Sequence, residues 1–336
     1  MILIFTMRKG LYIMKKRFLL VLICVFSALL MCACTSDTTS DDGKINIVCT
    51  EFPQYDWTKS IVQDSENVNL ILLNTKGTDM HSFEPSADDI IKVAESDILI
   101  LIGGEGDKWA LDAVSDNKKT TVINLLDLLK ENEEHGVLAE HDHIASCDHS
   151  LEAAHESADE HVWMSIKNAD FFIRKICEVL YEKDPQNAGF YKGSQKEIIG
   201  QLGELDYDFS QAIGEYEHPV MVVADRFPFK YLTDEYGIEC FAAFPGCSAD
   251  TDASPDTIIK LSKAVDEHNL KYIAVTENTS GKTAQAVINN TGNKNQQTVV
   301  IDSMQSVSLK DIENGATYIG IMKQNFEAMK KLLEKE

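Results

Sequence analysis

The sequence predicts an α/β protein of two lobes, each with a mainly parallel sheet flanked by helices, joined by a long backbone helix. Three observations predict it. Short apolar runs alternate with helical stretches in two separate series. An amphipathic stretch without strand character divides the two series. All seven prolines fall at segment edges, where they cannot break a helix or a ladder. Alternation of this kind gives parallel sheets covered by helices on both faces. At 336 residues and 44% hydrophobic content, the chain is long enough for two cores.

The chain starts with a segment that is not expected to join the fold. "MKKRFLLVLICVFSALLMCAC" (Met14–Cys34) has a basic start, an apolar run and small residues before Cys34, the layout of a secretory signal. "MCAC" followed by a polar stretch resembles a bacterial lipobox, with Met31 where Leu is usual and Cys32 as a competitor. Residues 1–33 are therefore expected to be a lipoprotein-type signal, Cys34 the lipidated residue and 34–43 a tether; an ordinary cleaved signal is the alternative. Translation from Met1 and from Met14 both fit this layout.

The first lobe is expected over 44–186. "INIVCT", "VNLILL", "DILILIG" and "TTVINL" read as buried strands. "PSADDIIKVAES" opens a helix with Ser86 as N-cap and Asp89 three residues on. Phe172, Ile173, Ile176 and Leu180 make a further apolar stripe. The connector is expected over 187–217: Ile198, Leu202, Leu205, Phe209, Ile213 and Tyr216 recur at steps of three and four. As one helix it would be about 46 Å long, although Gly193, Gly200, Gly203 and Gly214 oppose it. The second lobe, 218–336, has the strands "VMVVAD", "IECFAAF", "LKYIAVT" and "QTVVID". There Ser254 and Pro255 start a helix, and the stripe Ile319, Met322, Phe326, Met329, Leu333 closes the chain.

Charge and cysteines narrow the function classes. A formal charge of −23 argues against nucleic acid as a partner and is compatible with cations. Cys49 and Cys177 sit in apolar patterns and read as core. Cys240 and Cys247 form a disulfide or remain thiols; spacing alone leaves both open.

Open α/β sheets bind ligands outside the carboxyl ends of their strands. Four residues fall there: His81 in the loop after "VNLILL", His161 in "DEHVW" before a helix, Asp225 ending "VMVVAD" and Asp302 ending "QTVVID". Two imidazoles and two carboxylates make a four-ligand set for a divalent ion. Arg226 offers Asp225 an ion pair instead.

"GTDMHSFEPSADDI", "DEHVWMSIKNA", "VVADRFPFKYLTDEYGI", "AVTEN" and "VVIDSMQ", in that order, resemble the zinc/manganese ABC-transporter substrate-binding lipoproteins, a family of metal-binding receptors that includes adhesin-like members. The resemblance covers nearly all of 44–336. It implies ion binding by His81, His161, a second-lobe residue and Asp302, and a membrane permease as partner. This chain departs from the family by offering Asp225 at the third position, usually His or Glu, with Glu277 in reserve. Ser165-Ile166 also replaces the usual Asp-Pro. The resemblance implies an extracytoplasmic, membrane-anchored monomer.

One segment stands out beyond these motifs. His135, His141, His143, His149, His155 and His161 are six of the nine histidines and lie among Asp and Glu with no apolar face. A loop over 135–160 of this composition suits Zn²⁺ and serves Mn²⁺ poorly, so its first five histidines are expected to capture zinc. The two carboxylates of the main set, as hard ligands, would equally suit Mn²⁺. A metallohydrolase needs three ligands and an open position, whereas four protein ligands would close the site. Glu84 in "HSFE" is then a supporting or helix-start residue. A surface adhesin with a structural metal is the remaining alternative.

Overall fold

The computed structural model describes residues 43–134, 159–246 and 253–334. The expected signal, Cys34, nearly all of the tether, His135 through His155, Cys147 and Cys247 lie outside the described residues.

Two four-stranded, all-parallel sheets form the frame. In the first, β1 (Ile45–Cys49), β2 (Val68–Leu72), β3 (Ile98–Leu101) and β4 (Thr121–Asn124) stand in the order β2-β1-β3-β4. Ile45 lies opposite Val68, Ile47 opposite Ile98, and Ile98 opposite Thr121. Every residue of β3 is buried, which is why its sequence is an unbroken "ILIL" rather than an alternating one. In the second sheet, β5 (Val220–Phe227), β6 (Glu239–Pro245), β7 (Tyr272–Thr276) and β8 (Gln297–Ile301) repeat the order as β6-β5-β7-β8. The register of β5 against β6 slips between Val223 and Arg226. Such a bulge redirects the side chains beyond it.

Helices α1 (Phe52–Val62), α2 (Ala87–Ala94), α3 (Lys108–Val114) and α4 (Leu125–Glu134) belong to the first sheet. Ser86 caps α2 in a full capping box with Asp89. Then come α5 (Ile166–Lys183) and the 27-residue α6 (Ala188–Gly214), about 40 Å long. Its buried stripe of Tyr191, Ser194, Ile198, Leu202, Leu205, Phe209 and Ile213 explains why four glycines do not break it. Tertiary packing of that face outweighs propensity, and the glycines look onto open space. α7 (Lys230–Tyr236), α8 (Pro255–Glu267, capped by Ser254), α9 (Lys282–Asn290), α10 (Leu309–Glu313) and α11 (Tyr318–Leu332) complete the chain.

The described residues from Ile45 onward gather into one compact unit. Its largest core is shared between the halves. Trp57 of α1 meets Tyr318 of α11 edge-on at 5.1 Å, and Phe209 of α6 lies 5.0 Å from both Tyr236 and Phe326. Cys49, Cys177 and Cys240 are buried, as the apolar patterns around the first two predict. In both sheets the central strands send the chain to opposite sides, so a crevice opens at the carboxyl ends of β1/β3 and of β5/β7.

Candidate metal centre

His81 and His161 come together at the carboxyl end of the first sheet. His81 sits in a 3₁₀ turn, Met80–Ser82, after β2; His161 precedes another, Val162–Met164, which leads into α5. Their ring centroids are 5.7 Å apart at 69°. Two imidazoles sharing one tetrahedral ion would stand with centroids about 5 Å apart, so the pair is close to a chelating arrangement.

A carboxylate lies beside each ring. Asp159 Oδ1 accepts from the His161 backbone N–H at 2.9 Å and lies 2.8 Å from its Nδ1. A proton on Nδ1 facing that carboxylate fixes the tautomer that carries its lone pair on Nε2. Burial pushes the Asp159 carboxyl up, but the His161 contacts and Lys230 outweigh it and hold the group below the usual range. Glu160 is the second carboxylate. Its Oε1 accepts from the Glu105 N–H at 3.0 Å, while Oε2 is buried with no hydrogen-bond partner, 3.9 Å from His81 Nδ1. Gly104 makes room for it: a Cβ there would lie 2.0 Å from the Glu160 carboxyl carbon. An unpartnered buried carboxylate oxygen beside an imidazole fits a site that expects a cation.

The second-lobe residues are placed differently. Asp302, just past β8, accepts from the Met304 N–H through Oδ1 at 2.8 Å. Asn325 of α11 pins its backbone from both sides, accepting from Asp302 N–H and donating to Asp302 C=O, each at 2.8 Å. Burial, then the charge of Glu277, raise the Asp302 carboxyl to about 6. Met304 is buried with φ of +62°, a strained conformation of the kind that loops keep at functional sites. Glu277 is engaged at both oxygens by Ser303, from its N–H at 2.9 Å and its hydroxyl at 2.7 Å. Asp225 Oδ1 accepts from the Arg226 N–H at 2.9 Å; its Oδ2 is buried without a hydrogen-bond partner. The Arg226 guanidinium pairs with Asp79, in the loop of His81, at 2.8 Å.

The structure thus unites the two expected histidines but does not gather all four expected ligands. Among the described residues, no group of three or more His, Cys, Asp or Glu stands close enough to hold an ion. The halves nevertheless meet here. Trp163 packs edge-on against His161 at 5.3 Å and donates its indole N–H to Ser303 C=O at 2.9 Å. Three supporting residues escaped the sequence reading: Asp159, Glu160 and Asn325. "DEH" carries a local signal for the first two, acids directly before a candidate ligand. Asn325 carries none, since only the packing of α11 brings it to β8.

Residues 47–332 match the family model described as "Zinc-uptake complex component A periplasmic". The chain is 29% identical to the zinc-binding lipoprotein AdcA of Streptococcus pneumoniae over 96% of its own length, and spans 62% of that longer protein. It is 29% identical to the high-affinity zinc uptake system protein ZnuA of Bacillus subtilis, covering 96% of this chain and 97% of the relative. The crystal structure of the Zn(II)-bound ZnuA-like domain of Streptococcus pneumoniae AdcA superposes with a TM-score of 0.65 at 25% identity, covering 87% of this chain and all of that one.

Proposed function

The chain belongs to the family of the periplasmic zinc-uptake complex component A, receptors rather than enzymes, and on that premise we propose that it binds Zn²⁺ in a cleft between its lobes and delivers it to an ABC permease. Zinc is the cargo. His81 and His161 supply nitrogens from the first lobe; Asp225 and Asp302 supply charge from the second. Two carboxylates neutralise the dication and lower its desolvation cost. Glu277 acts through Ser303, shaping the Asp302 loop, and is the next ligand should Asp225 not serve. The observation that carries the reading is the His81–His161 pair, with His161 held in one tautomer by Asp159.

The assembly of the four ligands from a two-histidine seat requires the second-lobe carboxylates to move toward it as the ion binds. Splitting the set would release the ion to the permease. The segment 135–160, through His135, His141, His143, His149 and His155, is proposed to capture zinc and pass it to His161, which follows it directly in the chain. Cys34 is the proposed lipid site, anchoring a monomer on the extracytoplasmic face of the membrane.

Competitive Zn²⁺ and Mn²⁺ titration of the chain after Cys34 tests this, beside Asp225→Ala and a deletion of 135–158. One tight zinc site is expected, lost with Asp225→Ala and kept without the segment. A tight site that prefers Mn²⁺ would keep the receptor and reject zinc. Normal binding by Asp225→Ala would remove Asp225 from the set.

A further inference from the structure

The loop that carries His81 belongs to the first lobe in sequence, yet it is held by the second. Leu309 donates its N–H to Thr75 C=O at 2.8 Å, and Lys76 forms an antiparallel bridge with Ser308. Gly77, at φ +65°, lies so close to the 306–308 segment that a Cβ would stand 2.4 Å from Ser306 O. Only glycine allows this turn and this approach together. Arg226 then grips the far end of the loop. Its Nη2 lies 2.8 Å from Asp79 Oδ2, while Asp79 Oδ1 accepts from the His81 N–H at 3.0 Å. One carboxylate therefore joins a second-lobe guanidinium to the backbone of a first-lobe histidine. The bulge between Val223 and Arg226 sets where that guanidinium leaves β5.

We propose that Arg226 is a positioning residue for metal binding, which reaches from the second lobe through Asp79 to set His81 against His161. This role presupposes the receptor reading, in which His81 is a ligand. It gives a physical route by which a shift of the second lobe would reach the metal: Arg226 and the 306–309 segment would carry the His81 loop with them. His161 is held by other contacts, Asp159 within its own loop and Trp163, whose indole N–H reaches Ser303 C=O of the second lobe.

Two opposed effects decide the outcome of removing Arg226. Taken as a bare charge, a guanidinium near a dication weakens binding, so its loss would tighten the site. As a positioning group its loss would free the His81 loop and weaken the site; outer partners that orient a ligand typically contribute about 10- to 100-fold in metal affinity. The second effect should win, because Asp79 already neutralises Arg226 and the pair adds little net field. The pair is partly exposed, Arg226 at 34% and Asp79 at 20%, and contributes little to global stability.

The test is Zn²⁺ competition titration, with Co²⁺ absorption spectra, on the unaltered chain, Arg226→Ala, Arg226→Lys, Asp79→Asn and the Arg226→Ala/Asp79→Asn pair. Thermal melts of the metal-free proteins check folding. Both single variants are expected to bind zinc about 10- to 100-fold more weakly, and the double variant no more weakly than the worse single. Arg226→Lys should recover part of the loss. The Co²⁺ spectrum of Arg226→Ala should move toward that of His81→Ala, with melting temperatures nearly unchanged. Tighter zinc binding by Arg226→Ala with weaker binding by Asp79→Asn would reveal simple charge effects and overturn the role. Multiplying losses in the double variant would overturn it too. An unaltered chain that binds neither metal would sink the receptor reading itself.

Discussion

Glu235→Gln should stabilise the protein above pH 7 and remove one component of its pH dependence. Glu235, on α7 of the second lobe, has a fully buried side chain and accepts from the Lys167 N–H, in the first turn of α5, at 3.3 Å. Its Oε2 has no hydrogen-bond partner. Burial pushes the carboxyl from its ordinary 4.5 to about 7, against the opposing pull of Ser165 and Lys167. Between those values the folded protein keeps a proton that the unfolded chain has lost. The stabilisation is thus complete below 4.5 and is lost as pH rises through 7. At about 1.4 kcal/mol per pH unit, this loss amounts to about 3.5 kcal/mol. A neutral amide does not titrate, but it places an NH2 with two donors where Oε2 had no partner, at a cost of about 1 kcal/mol or more. The net gain expected above pH 8 is about 1–2 kcal/mol. Urea unfolding of both proteins from pH 4 to 8.5 measures it, and their difference isolates this group from every other titration. A difference that stays flat across pH, or a variant less stable at pH 8.5, would show that Glu235 is not held protonated by burial.

Other perturbations address the candidate site. Asp159→Asn should weaken zinc binding about 10- to 100-fold by loosening the His161 tautomer, with little change in melting temperature; chelator competition reads it. Trp163→Phe should cost about 1–3 kcal/mol in urea unfolding, because Ser303 C=O loses its buried donor. Gly77→Ala should lower stability by at least about 1–2 kcal/mol, the cost of left-handed backbone with a Cβ. It should also weaken zinc binding by displacing the His81 loop from Ser306; normal affinity in a destabilised variant would separate the loop from the metal.

Much of the frame was legible in the chain because it depends on local rules. The buried runs "ILIL" and "VMVVA", short and bounded by turn residues, read as strands covered on both faces, and parallel order follows from the helices between them. Ser86 and Ser254 cap helices where the sequence places them, because a cap is a matter of three neighbouring residues. The convergence of His81 and His161 was also legible, since both lie where strand ends of a parallel sheet open a crevice.

What the tertiary structure decided is the partnership across the lobes. Arg226 stands beside Asp225 in the chain, but its guanidinium turns to Asp79 because a one-residue slip in β5 redirects it. Asn325 braces Asp302 only because α11 packs back onto β8. Glu277, an obvious ligand by type, spends both oxygens on Ser303. Residue type and spacing determine which atoms can bind an ion. Which of them are already engaged by a neighbour depends on contacts between segments distant in the chain, and no local pattern encodes those.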